Sequence, residues 1–307
     1  MKVLITGGCG FIGSNIGDAL LKKGYGVIVL DNLSSGKKEN INKKAKFYKA
    51  DIFDKKAVQD VFKKERPLIA IHNAAQIDVR KSVADPFFDA EVNILGSINI
   101  LNSCVENKVA KIIFASSGGA IYGECNNSAP NEESIPKPLS PYGIAKNSVE
   151  GYIKFYSAVH RLDYTILRYG NVYGPRQDPH GEAGVIAIFT SRILNNENIT
   201  VFGNGKQMRD YIYVVDVVNA NLKALSKAKN QTLNIAAGKP LSVKELVKIM
   251  SGISGYNKKI IYKPKREGEL FKSFLNINKA EKVLSWKPKF DIKLGIKETI
   301  SYFKQRP

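Results

Sequence analysis

The stretch Val3-Leu4-Ile5-Thr6-Gly7-Gly8-Cys9-Gly10-Phe11-Ile12-Gly13 decides the fold of this 307-residue chain. A short apolar run comes first, glycines follow at the spacing G-x-x-G-x-x-G, and a helical pattern begins with them. Glycines at these positions allow a tight turn, close approach of backbone N–H groups to a pyrophosphate, and close packing of a helix whose N-terminus favours negative charge. The stretch therefore predicts a strand, a dinucleotide-binding turn and a helix, although a glycine triplet alone is also compatible with a simple turn.

Asp31 ends the next apolar run, at residues 27–30, and supplies the acid that such a unit requires. A carboxylate about 20 residues after the glycines meets the adenosine ribose hydroxyls and repels a 2′-phosphate. We therefore expect NAD rather than NADP, with Lys37 and Lys38 weakening the preference. The alternative is a helix-capping or turn aspartate, which predicts nothing about the cofactor.

Short apolar runs alternate with longer helical patterns through the first half of the chain. They occupy residues 3–5, 27–30, 47–50, 68–71, 112–115 and 165–168. Apolar strands joined by helices predict a doubly wound parallel α/β sheet, a Rossmann fold, covered on both faces. After about residue 174 the pattern loosens, with a strand expected at 199–202 and helices at 243–250 and 292–304. We expect a dinucleotide-binding domain over residues 1–174 and a smaller C-terminal substrate-binding lobe over 175–307, with some segments exchanged between them.

Tyr142 and Lys146 form a Y-x-x-x-K pair in the run Ser140-Pro141-Tyr142-Gly143-Ile144-Ala145-Lys146. A phenol is a poor base because its pKa is near ~10, but residues four apart share a helix face, and a lysine charge there favours the phenolate. The pair predicts hydride chemistry on an alcohol. The spacing alone is common in proteins, so it gains meaning only together with the glycine loop.

The net charge and the cysteine content limit the classes of protein to which this chain can belong. The formal net charge of +19 and the pI near 9.6 suit a nucleic-acid binder, but the lysines are spread as short doublets, which favours a solvated basic surface that attracts an anionic substrate. The three cysteines, Cys9, Cys104 and Cys125, lack metal-ligand spacing and are expected to be reduced. We expect no leader and no apolar run of the ~20 residues that a membrane span needs, and hence a cytoplasmic protein without a membrane, nucleic-acid or metal partner.

The full set of motifs resembles the extended short-chain dehydrogenase/reductase family, and within it the nucleotide-sugar epimerases of the UDP-glucose 4-epimerase type. The resemblance covers nearly the whole chain. Its motifs are, in order, Gly7 to Gly13, Asp31-Asn32, Asp51-Ile52, His72-Asn73-Ala74-Ala75-Gln76, Asn93, Ser116-Ser117-Gly118-Gly119-Ala120-Ile121-Tyr122-Gly123, Tyr142 to Lys146, Arg168-Tyr169-Gly170-Asn171, Arg209-Asp210-Tyr211 and Arg266-Glu267-Gly268-Glu269.

This resemblance implies NAD as the cofactor. The cofactor contacts that it implies are Gly7, Gly10, Phe11, Ile12, Gly13, Asp31, Asn32, Ser35, Gly36, Asp51, Ile52, Ala74, Ala75, Gln76, Asn93, Tyr142, Lys146 and Tyr169. The alternative for Asp51 is a helix cap. For His72 we expect a structural group that closes a strand rather than a proton shuttle.

The implied reaction inverts C4 of a UDP-hexose through a transient 4-keto sugar. Tyr142 would take the proton of the 4-hydroxyl, while Lys146 would lower the phenol pKa and bind the nicotinamide ribose. Counting toward Tyr142 selects Ser117 as the hydroxyl that contacts the substrate oxygen, whereas counting back from Tyr122 selects Gly118. We expect Ser117; the alternative for Ser116 and Ser117 is capping of a strand end.

The resemblance also implies where the UDP-sugar binds. The implied substrate contacts are Ser117, Tyr142, Asn171, Val201, Arg209, Arg266, Glu269 and Ser273. Arg209 and Arg266 would clamp the diphosphate, because guanidinium forks match that anion, although a lone arginine is usually a surface residue. The small Ser273 would admit an N-acetyl group at C2, unless it lies on an exposed turn.

Other readings remain open. A nucleotide-sugar reductase or dehydratase is one, but the loop at 118–120, Gly-Gly-Ala, offers no acid for dehydration. A cofactor-sensing or RNA-binding protein is another, although a sensor needs neither Tyr142 nor Lys146. The family resemblance implies a homodimer through the helix after Tyr142, where Val149, Tyr152, Ile153 and Tyr156 have a spacing that suits either an interface or the core.

Overall fold

The computed structural model describes residues 1–125, 128–180, 184–266 and 269–305. Its strands are β1 Lys2–Thr6, β2 Gly26–Asp31, β3 Lys46–Lys49, β4 Ile69–His72, β5 Lys111–Ser117, β6 Asp163–Tyr169, β7 Asn171–Tyr173, β8 Thr200–Phe202, β9 Met208–Tyr213, β10 Gln231–Ile235, β11 Pro240–Ser242, β12 Ile261–Lys263 and β13 Lys272–Ser273. Its α-helices are α1 Phe11–Lys22, α2 Lys55–Glu65, α3 Val79–Ala84, α4 Pro86–Ala90, α5 Gly96–Glu106, α6 Gly118–Ile121, α7 Pro141–His160, α8 Val185–Leu194, α9 Val214–Ala224, α10 Val243–Ser254, α11 Asn278–Leu284 and α12 Ile292–Gln305. A 3-10 helix spans Lys38–Asn40 and a π-helix spans Glu91–Leu95.

A seven-stranded sheet, ordered β10-β6-β5-β4-β1-β2-β3, forms the centre of the molecule. Each adjacent pair of strands runs parallel. All six strands predicted from the apolar runs of the first half lie in this sheet, so the predicted doubly wound α/β class is confirmed. The strand order reverses between β1 and β4, and ligands of such sheets bind at the carboxyl ends of the strands at this point.

The alternation of side chains along β1 divides the core between the two faces of the sheet, because successive residues of a strand point to opposite sides. Ile5 packs in one apolar cluster with Leu20 of α1 and Val217 of α9. Leu4 packs in the other cluster with Phe62 of α2 and Ile100 of α5. Both faces are therefore covered by helices, as the near-continuous apolar strands predict.

The sequence analysis missed β10, which comes from the second half of the chain and pairs with β6 through Leu233 opposite Leu167. Asn234 interrupts its apolar run, yet this side chain is fully buried. Its Nδ2 donates to the carbonyl oxygens of Pro130 at 3.1 Å and Asn276 at 3.0 Å. A buried amide with such partners can occupy a core strand, and a segment beyond residue 174 thus completes the central sheet.

Two small sheets form from strands that follow β6. β11, β9 and β13 form one sheet, with β7 also paired to β9, and β12 pairs with β8. The strand predicted at 199–202 corresponds to β8, and the helices predicted at 243–250 and 292–304 correspond to α10 and α12. Within the described ranges, no helix has the length and apolar character that crossing a membrane requires.

Candidate active site at the carboxyl edge of the sheet

The glycine loop after β1 has no room for a side chain at Gly7 or Gly13. Gly7 has a φ of +66°, and a Cβ there would lie 2.7 Å from the Ala74 nitrogen. A Cβ on Gly13 would lie 2.3 Å from the Gly7 carbonyl oxygen. The loop therefore presents bare backbone at the start of α1, followed by Phe11 and Ile12, which suits close approach of a pyrophosphate.

Asp31 ends β2 beside this loop and is 7% exposed. Its Oδ2 accepts a hydrogen bond from Cys9 N at 2.9 Å, and its Oδ1 accepts one from Leu33 N at 2.8 Å. The carboxylate thus fixes the glycine loop against the end of β2, so the structural role considered for Asp31 is present. Each oxygen retains a second acceptor site, which leaves the predicted contact to ribose hydroxyls available.

The neighbouring strand ends converge on the same edge. Asn32 Nδ2 donates to Asp51 Oδ2 at 2.7 Å, joining the segments after β2 and β3. A Cβ on Gly36 would lie 2.7 Å from Cys9 Cβ, so the turn after the exposed Ser35 packs back on the glycine loop. The buried Ile52 continues this edge toward α5. The structure therefore places these expected cofactor contacts at the ends of β2 and β3, with Gly36 against the glycine loop.

The segment after β4 holds a buried amide without a protein partner. Neither side-chain polar atom of Asn73 has a hydrogen-bond partner among the described residues, and the adjacent Ala74 N donates to Thr6 Oγ1 at 3.2 Å. Buried polar groups are normally paired, so an orphaned amide here fits a polar ligand. Beyond Ala75, Gln76 N donates to Asn93 Oδ1 at 2.9 Å, and Asn93 Nδ2 returns a bond to the Gln76 carbonyl at 2.9 Å.

His72 has the structural role expected for it. It is 1% exposed, its Nδ1 lies 2.6 Å from Thr6 Oγ1, and its Nε2 lies 2.9 Å from Ser97 Oγ. Burial and the Lys146 charge lower its pKa to about 3. A ring that is neutral at ordinary pH and bonded at both nitrogens holds β4 between β1 and α5.

Tyr142 and Lys146 lie in the first turns of α7. Ser140 caps this helix by accepting a hydrogen bond from Gly143 N at 3.2 Å, and Pro141 takes the first helical position. Lys146 is 4% exposed, its Nζ donates to the Ala115 carbonyl of β5 at 2.9 Å, and it lies 5.8 Å from the Tyr142 ring centroid. The helix start therefore aims both side chains at the end of β5.

Burial dominates the titration of both groups. It raises the pKa of Tyr142 to about 12, while a hydrogen bond with Ser117 opposes the rise. It lowers the pKa of Lys146 to about 8, and Asp89 and Glu150 oppose the fall. The pKa of Tyr142 thus lies above its usual value because desolvation is the largest influence on it, and a lowering of that pKa by Lys146 stays a prediction.

Ser117, Asn171 and Ser273 face one common space above Gly119. A Cβ built on Gly119 would lie 3.8 Å from Ser273 Oγ, 3.9 Å from Ser117 Oγ and 4.0 Å from Asn171 Oδ1. A Cβ on Gly118 would instead lie 2.5 Å from the side chain of Leu275. Ser117, rather than the position of Gly118, thus faces the space beside Tyr142.

Ser273 lies in β13 opposite Arg209 of β9 and is 5% exposed, so the exposed-turn alternative for it is wrong. Arg209 reaches Glu269 at 3.3 Å from its Nη2, and the Arg266 guanidinium stacks 3.9 Å from the centroid of the Phe202 ring. The structure therefore brings Arg209, Glu269 and Ser273 together, whereas Arg266 packs on Phe202 of β8. Residues 267 and 268 of the same motif lie outside the described residues.

Two predicted contacts direct their side chains elsewhere. Val201 of β8 is 2% exposed and belongs to the apolar core. Tyr169 is also buried, and its hydroxyl accepts a hydrogen bond from Asn221 Nδ2 at 2.8 Å. Val201 and Tyr169 could therefore contact a ligand only through their backbone atoms.

The sequence analysis missed a buried ion pair behind the site. Arg168 of β6 donates from Nε to Glu150 Oε1 at 2.9 Å and from Nη2 to Glu150 Oε2 at 2.6 Å. Ser116 Oγ donates to Glu150 Oε1 at 2.7 Å, and Arg168 Nη1 donates to the Tyr122 hydroxyl at 2.6 Å. A signal existed, since Glu150 follows Lys146 by one helical turn and Arg168 ends an otherwise apolar run.

Similar proteins are known for the whole chain. A crystal structure of UDP-glucose 4-epimerase with UDP-glucose from Thermotoga maritima is 50% identical with a TM-score of 0.98, and 99% of each chain is covered. The UDP-glucose 4-epimerase of Thermus thermophilus in complex with NAD is 41% identical with a TM-score of 0.95, and 100% of each chain is covered. The UDP-glucose 4-epimerase of Mycolicibacterium smegmatis is 39% identical over 313 residues, covering 100% of this chain and 99% of the relative.

Two features of this site are typical of one enzyme family. A bare glycine loop lies beside Asp31, and Ser117, Tyr142 and Lys146 lie at the carboxyl edge of the same sheet. The model of the NAD dependent epimerase/dehydratase family matches residues 3–236. This chain belongs to the NAD dependent epimerase/dehydratase family.

Proposed function

We propose that this protein is an NAD-dependent epimerase that inverts C4 of a UDP-hexose. The observation that carries the proposal is the common space above Gly119, where Ser117, Asn171 and Ser273 meet next to Tyr142. Relatives of 39–50% identity over nearly the whole chain are UDP-glucose 4-epimerases, one of them holding UDP-glucose and another NAD.

NAD fits the residues that surround the glycine loop. The bare cradle at Gly7, Gly10 and Gly13 would take the pyrophosphate, and the acceptor sites left on Asp31 would take the adenosine ribose. The unpaired Asn73 amide lies where the cradle meets the end of β4. When bound, NAD supplies the reversible two-electron oxidation of C4 that the inversion requires.

Tyr142 would transfer the proton of the C4 hydroxyl. Its phenolate oxygen would take the proton from the C4 hydroxyl and return it once the 4-keto sugar has turned its other face. Ser117, already hydrogen-bonded to Tyr142, would bind the same substrate oxygen. Lys146, fixed by the Ala115 carbonyl, would supply the positive charge that the buried phenolate needs.

The second lobe would hold the nucleotide diphosphate. Arg209 belongs to β9 and Arg266 to the segment after β12, and both would present guanidinium N–H groups to the diphosphate. Arg209 also contacts Glu269, whose carboxylate remains able to accept from a ribose hydroxyl. Asn171 would contact the sugar phosphate. We accordingly divide the chain functionally into a dinucleotide-binding part, residues 1–174, and a nucleotide-sugar part, residues 175–307.

Dehydration is the competing chemistry within this family. It requires an acid or base near C5 or C6 of the sugar, next to the catalytic hydroxyl. The short helix α6 follows Ser117 with Gly118, Gly119 and Ala120, none of which can donate a proton. Reversible oxidation at C4 is the reaction that this loop supports.

The range of accepted sugars depends on Ser273. Its hydroxyl lies on the same space as Ser117, and its small side chain leaves room beside the sugar ring. We propose that both UDP-glucose and UDP-N-acetylglucosamine are substrates. Incubation with a panel of UDP-hexoses and separation of the C4 epimers tests the proposal, and a panel without any epimer formed would refute it.

An exposed apolar stripe on α7 supports a homodimer. Ile144, Phe155 and Val159 are 52%, 53% and 57% exposed, and Tyr152 lies between them. Val149, Ile153 and Tyr156 are buried and belong to the core, so of the positions with ambiguous spacing only Tyr152 faces outward. A helical apolar face of this kind suits a second copy of the chain. Sedimentation of wild type and Phe155→Glu tests this, and a wild-type monomer would contradict it.

We propose that the enzyme works in the cytoplasm and serves galactose metabolism by interconverting UDP-glucose and UDP-galactose. All three cysteines are free and buried, which fits a reducing compartment. The basic surface would serve to attract the anionic UDP-sugar, and no nucleic-acid partner is needed to account for it.

A further inference from the structure

Glu124 follows the short helix α6, and its side chain binds a distant part of the chain. Its Oε2 accepts a hydrogen bond from Phe271 N at 2.7 Å, and its Oε1 accepts one from Lys272 N at 2.6 Å. The next residue, Cys125, donates from its backbone N to the Lys272 carbonyl at 3.0 Å. Hydrogen bonds to a carboxylate are stronger than those to a neutral oxygen, so Glu124 holds Phe271 and Lys272 firmly.

These contacts cover the open edge of β13. This strand consists of Lys272 and Ser273 and lies at the end of its sheet, with Ser273 opposite Arg209 of β9. An end strand leaves backbone N–H and C=O groups without a partner strand. Lys272 binds the segment at 124–125 through both groups, so this segment supports β13 on the side opposite β9.

Phe271 connects Glu124 to the guanidinium of Arg209. The Phe271 N–H binds Glu124, while its carbonyl oxygen accepts hydrogen bonds from Met208 N at 2.7 Å and from Arg209 Nη1 at 3.4 Å. The same guanidinium donates to the Met208 carbonyl at 2.9 Å and reaches Glu269 at 3.3 Å. A displacement of Phe271 therefore moves one of the groups that orient Arg209.

Two further acids of the segment between α6 and α7 are directed elsewhere. Glu132 Oε1 accepts a hydrogen bond from Asn234 N of β10 at 2.7 Å. Glu133 is exposed and binds Asn131 Oδ1 through its backbone N at 3.1 Å. Glu133 thus offers a comparison in which a negative charge of the same segment is removed without any change to β13.

We propose that Glu124 is a positioning residue for the sugar-nucleotide site: by holding Phe271 and Lys272, it keeps the Arg209 guanidinium oriented toward the substrate diphosphate. The inference rests on the proposed function, in which Arg209 binds that diphosphate. Arg209 would make this contact in the bound substrate and in the transition state alike. Its displacement therefore weakens binding and leaves the chemical step unchanged.

Calorimetric titration of NAD-saturated protein with UDP tests the proposal, because UDP carries the diphosphate without the sugar. The Kd for UDP is expected to rise roughly tenfold in Glu124→Ala, about the effect of losing one hydrogen bond to a charged group. Removal of a negative charge by itself would strengthen the binding of an anion, so weaker binding indicates lost orientation. An unchanged or lower Kd in Glu124→Ala would overturn the proposal.

Glu133→Ala is the matched control, since it removes a carboxylate from the same segment, and its Kd for UDP should not rise. A rise equal to that of Glu124→Ala would also overturn the proposal. Glu124→Gln keeps the shape and one acceptor oxygen, so an intermediate Kd is expected. This variant keeps the proposal testable should Glu124→Ala fail to fold, and wild-type affinity in Glu124→Gln would contradict it.

A double-mutant cycle tests whether Glu124 acts through Arg209. Arg209→Ala removes the group that Glu124 positions, so adding Glu124→Ala to it should have little further effect on the Kd for UDP. A second rise as large as that in the wild-type background would show that Glu124 acts by another route and would refute the positioning role.

Kinetics add a measurement that a purely structural role would not change in the same way. The KM for UDP-glucose is expected to rise in Glu124→Ala by the same factor as the Kd for UDP, with kcat near the wild-type value. A lower kcat with an unchanged KM would indicate loss of folded enzyme and contradict the proposal. A wild-type protein that binds UDP but epimerises no UDP-hexose refutes the proposed function and leaves the comparison of Kd values standing, whereas one that binds no UDP refutes both.

Discussion

Tyr142 is the single residue on which the proposed chemistry depends most. The side chain is half-buried, and desolvation raises its pKa to about 12 while a hydrogen bond with Ser117 opposes the rise. A phenol with this pKa is almost wholly protonated at neutral pH. Nearby positive charge lowers the phenol pKa and so determines how much phenolate forms. Lys146 is the protein's own contribution to that charge.

Tyr142→Phe is expected to reduce turnover by about 10²–10⁴ because it removes the proton acceptor and keeps the ring. Binding of NAD and of UDP-glucose, measured by calorimetry, should stay near the wild-type values. Ser117→Ala should cost less, since it removes a hydrogen bond rather than the acceptor. Turnover near wild type in Tyr142→Phe would assign the proton to another group.

We propose that Asp31 sets the preference for NAD over NADP. We expect the protein to bind NAD far more tightly than NADP, because the added phosphate would meet a carboxylate of like charge. Calorimetry with the two cofactors measures the preference. Since Asp31 also fixes Cys9 N and Leu33 N, its substitution would disturb the loop itself, and the wild-type comparison is the cleaner experiment. Equal affinities would contradict this role for Asp31.

In the proposed function, Ser273 determines which sugars are accepted. Ser273→Tyr is expected to abolish epimerisation of UDP-N-acetylglucosamine and to preserve that of UDP-glucose, because the larger ring would fill the space beside C2. Ser273→Ala, which keeps the space, should accept both substrates. Loss of both activities, or of neither, in Ser273→Tyr would show that this position does not select the sugar.

Among the secondary-structure elements, α7 and β6 are joined by the buried pair of Glu150 and Arg168. Glu150→Gln is expected to lower the free energy of unfolding by about 3–5 kcal/mol, because it leaves the Arg168 charge buried without its partner. Urea denaturation measures the change. Ser116→Ala removes only one hydrogen bond to the same carboxylate and should cost about 1 kcal/mol. Equal losses for the two variants would contradict the ion-pair account.

The elements also differ in how well the sequence predicts them. The sequence predicts the strands of the first half because strands that are buried on both faces have near-continuous apolar runs. β10 is hidden by the buried Asn234, and β13, two residues long, has no periodicity to detect. The sequence predicts that Tyr142 and Lys146 lie together because they share one helix. Glu150 and Arg168, in contrast, meet only through packing of α7 on β6.

For the whole molecule, we propose that the central sheet binds the cofactor and that the C-terminal lobe binds the sugar nucleotide. β10 comes from the second half of the chain and completes the central sheet, so the chain crosses between the two parts. The sequence predicts this division from the change of pattern near residue 174, but the pairing of β9 with β7, β11 and β13, which sets Arg209 opposite Ser273, follows only from tertiary structure.

The most direct test of the central claim is the fate of the hydrogen on C4. UDP-glucose labelled with deuterium at C4 is incubated with the enzyme and NAD in ordinary water, and the product is analysed by NMR. We predict UDP-galactose that retains the deuterium at C4, with Tyr142→Phe giving almost no product in the same time. Loss of the label to solvent, or a product that is not the C4 epimer, would contradict the proposed function.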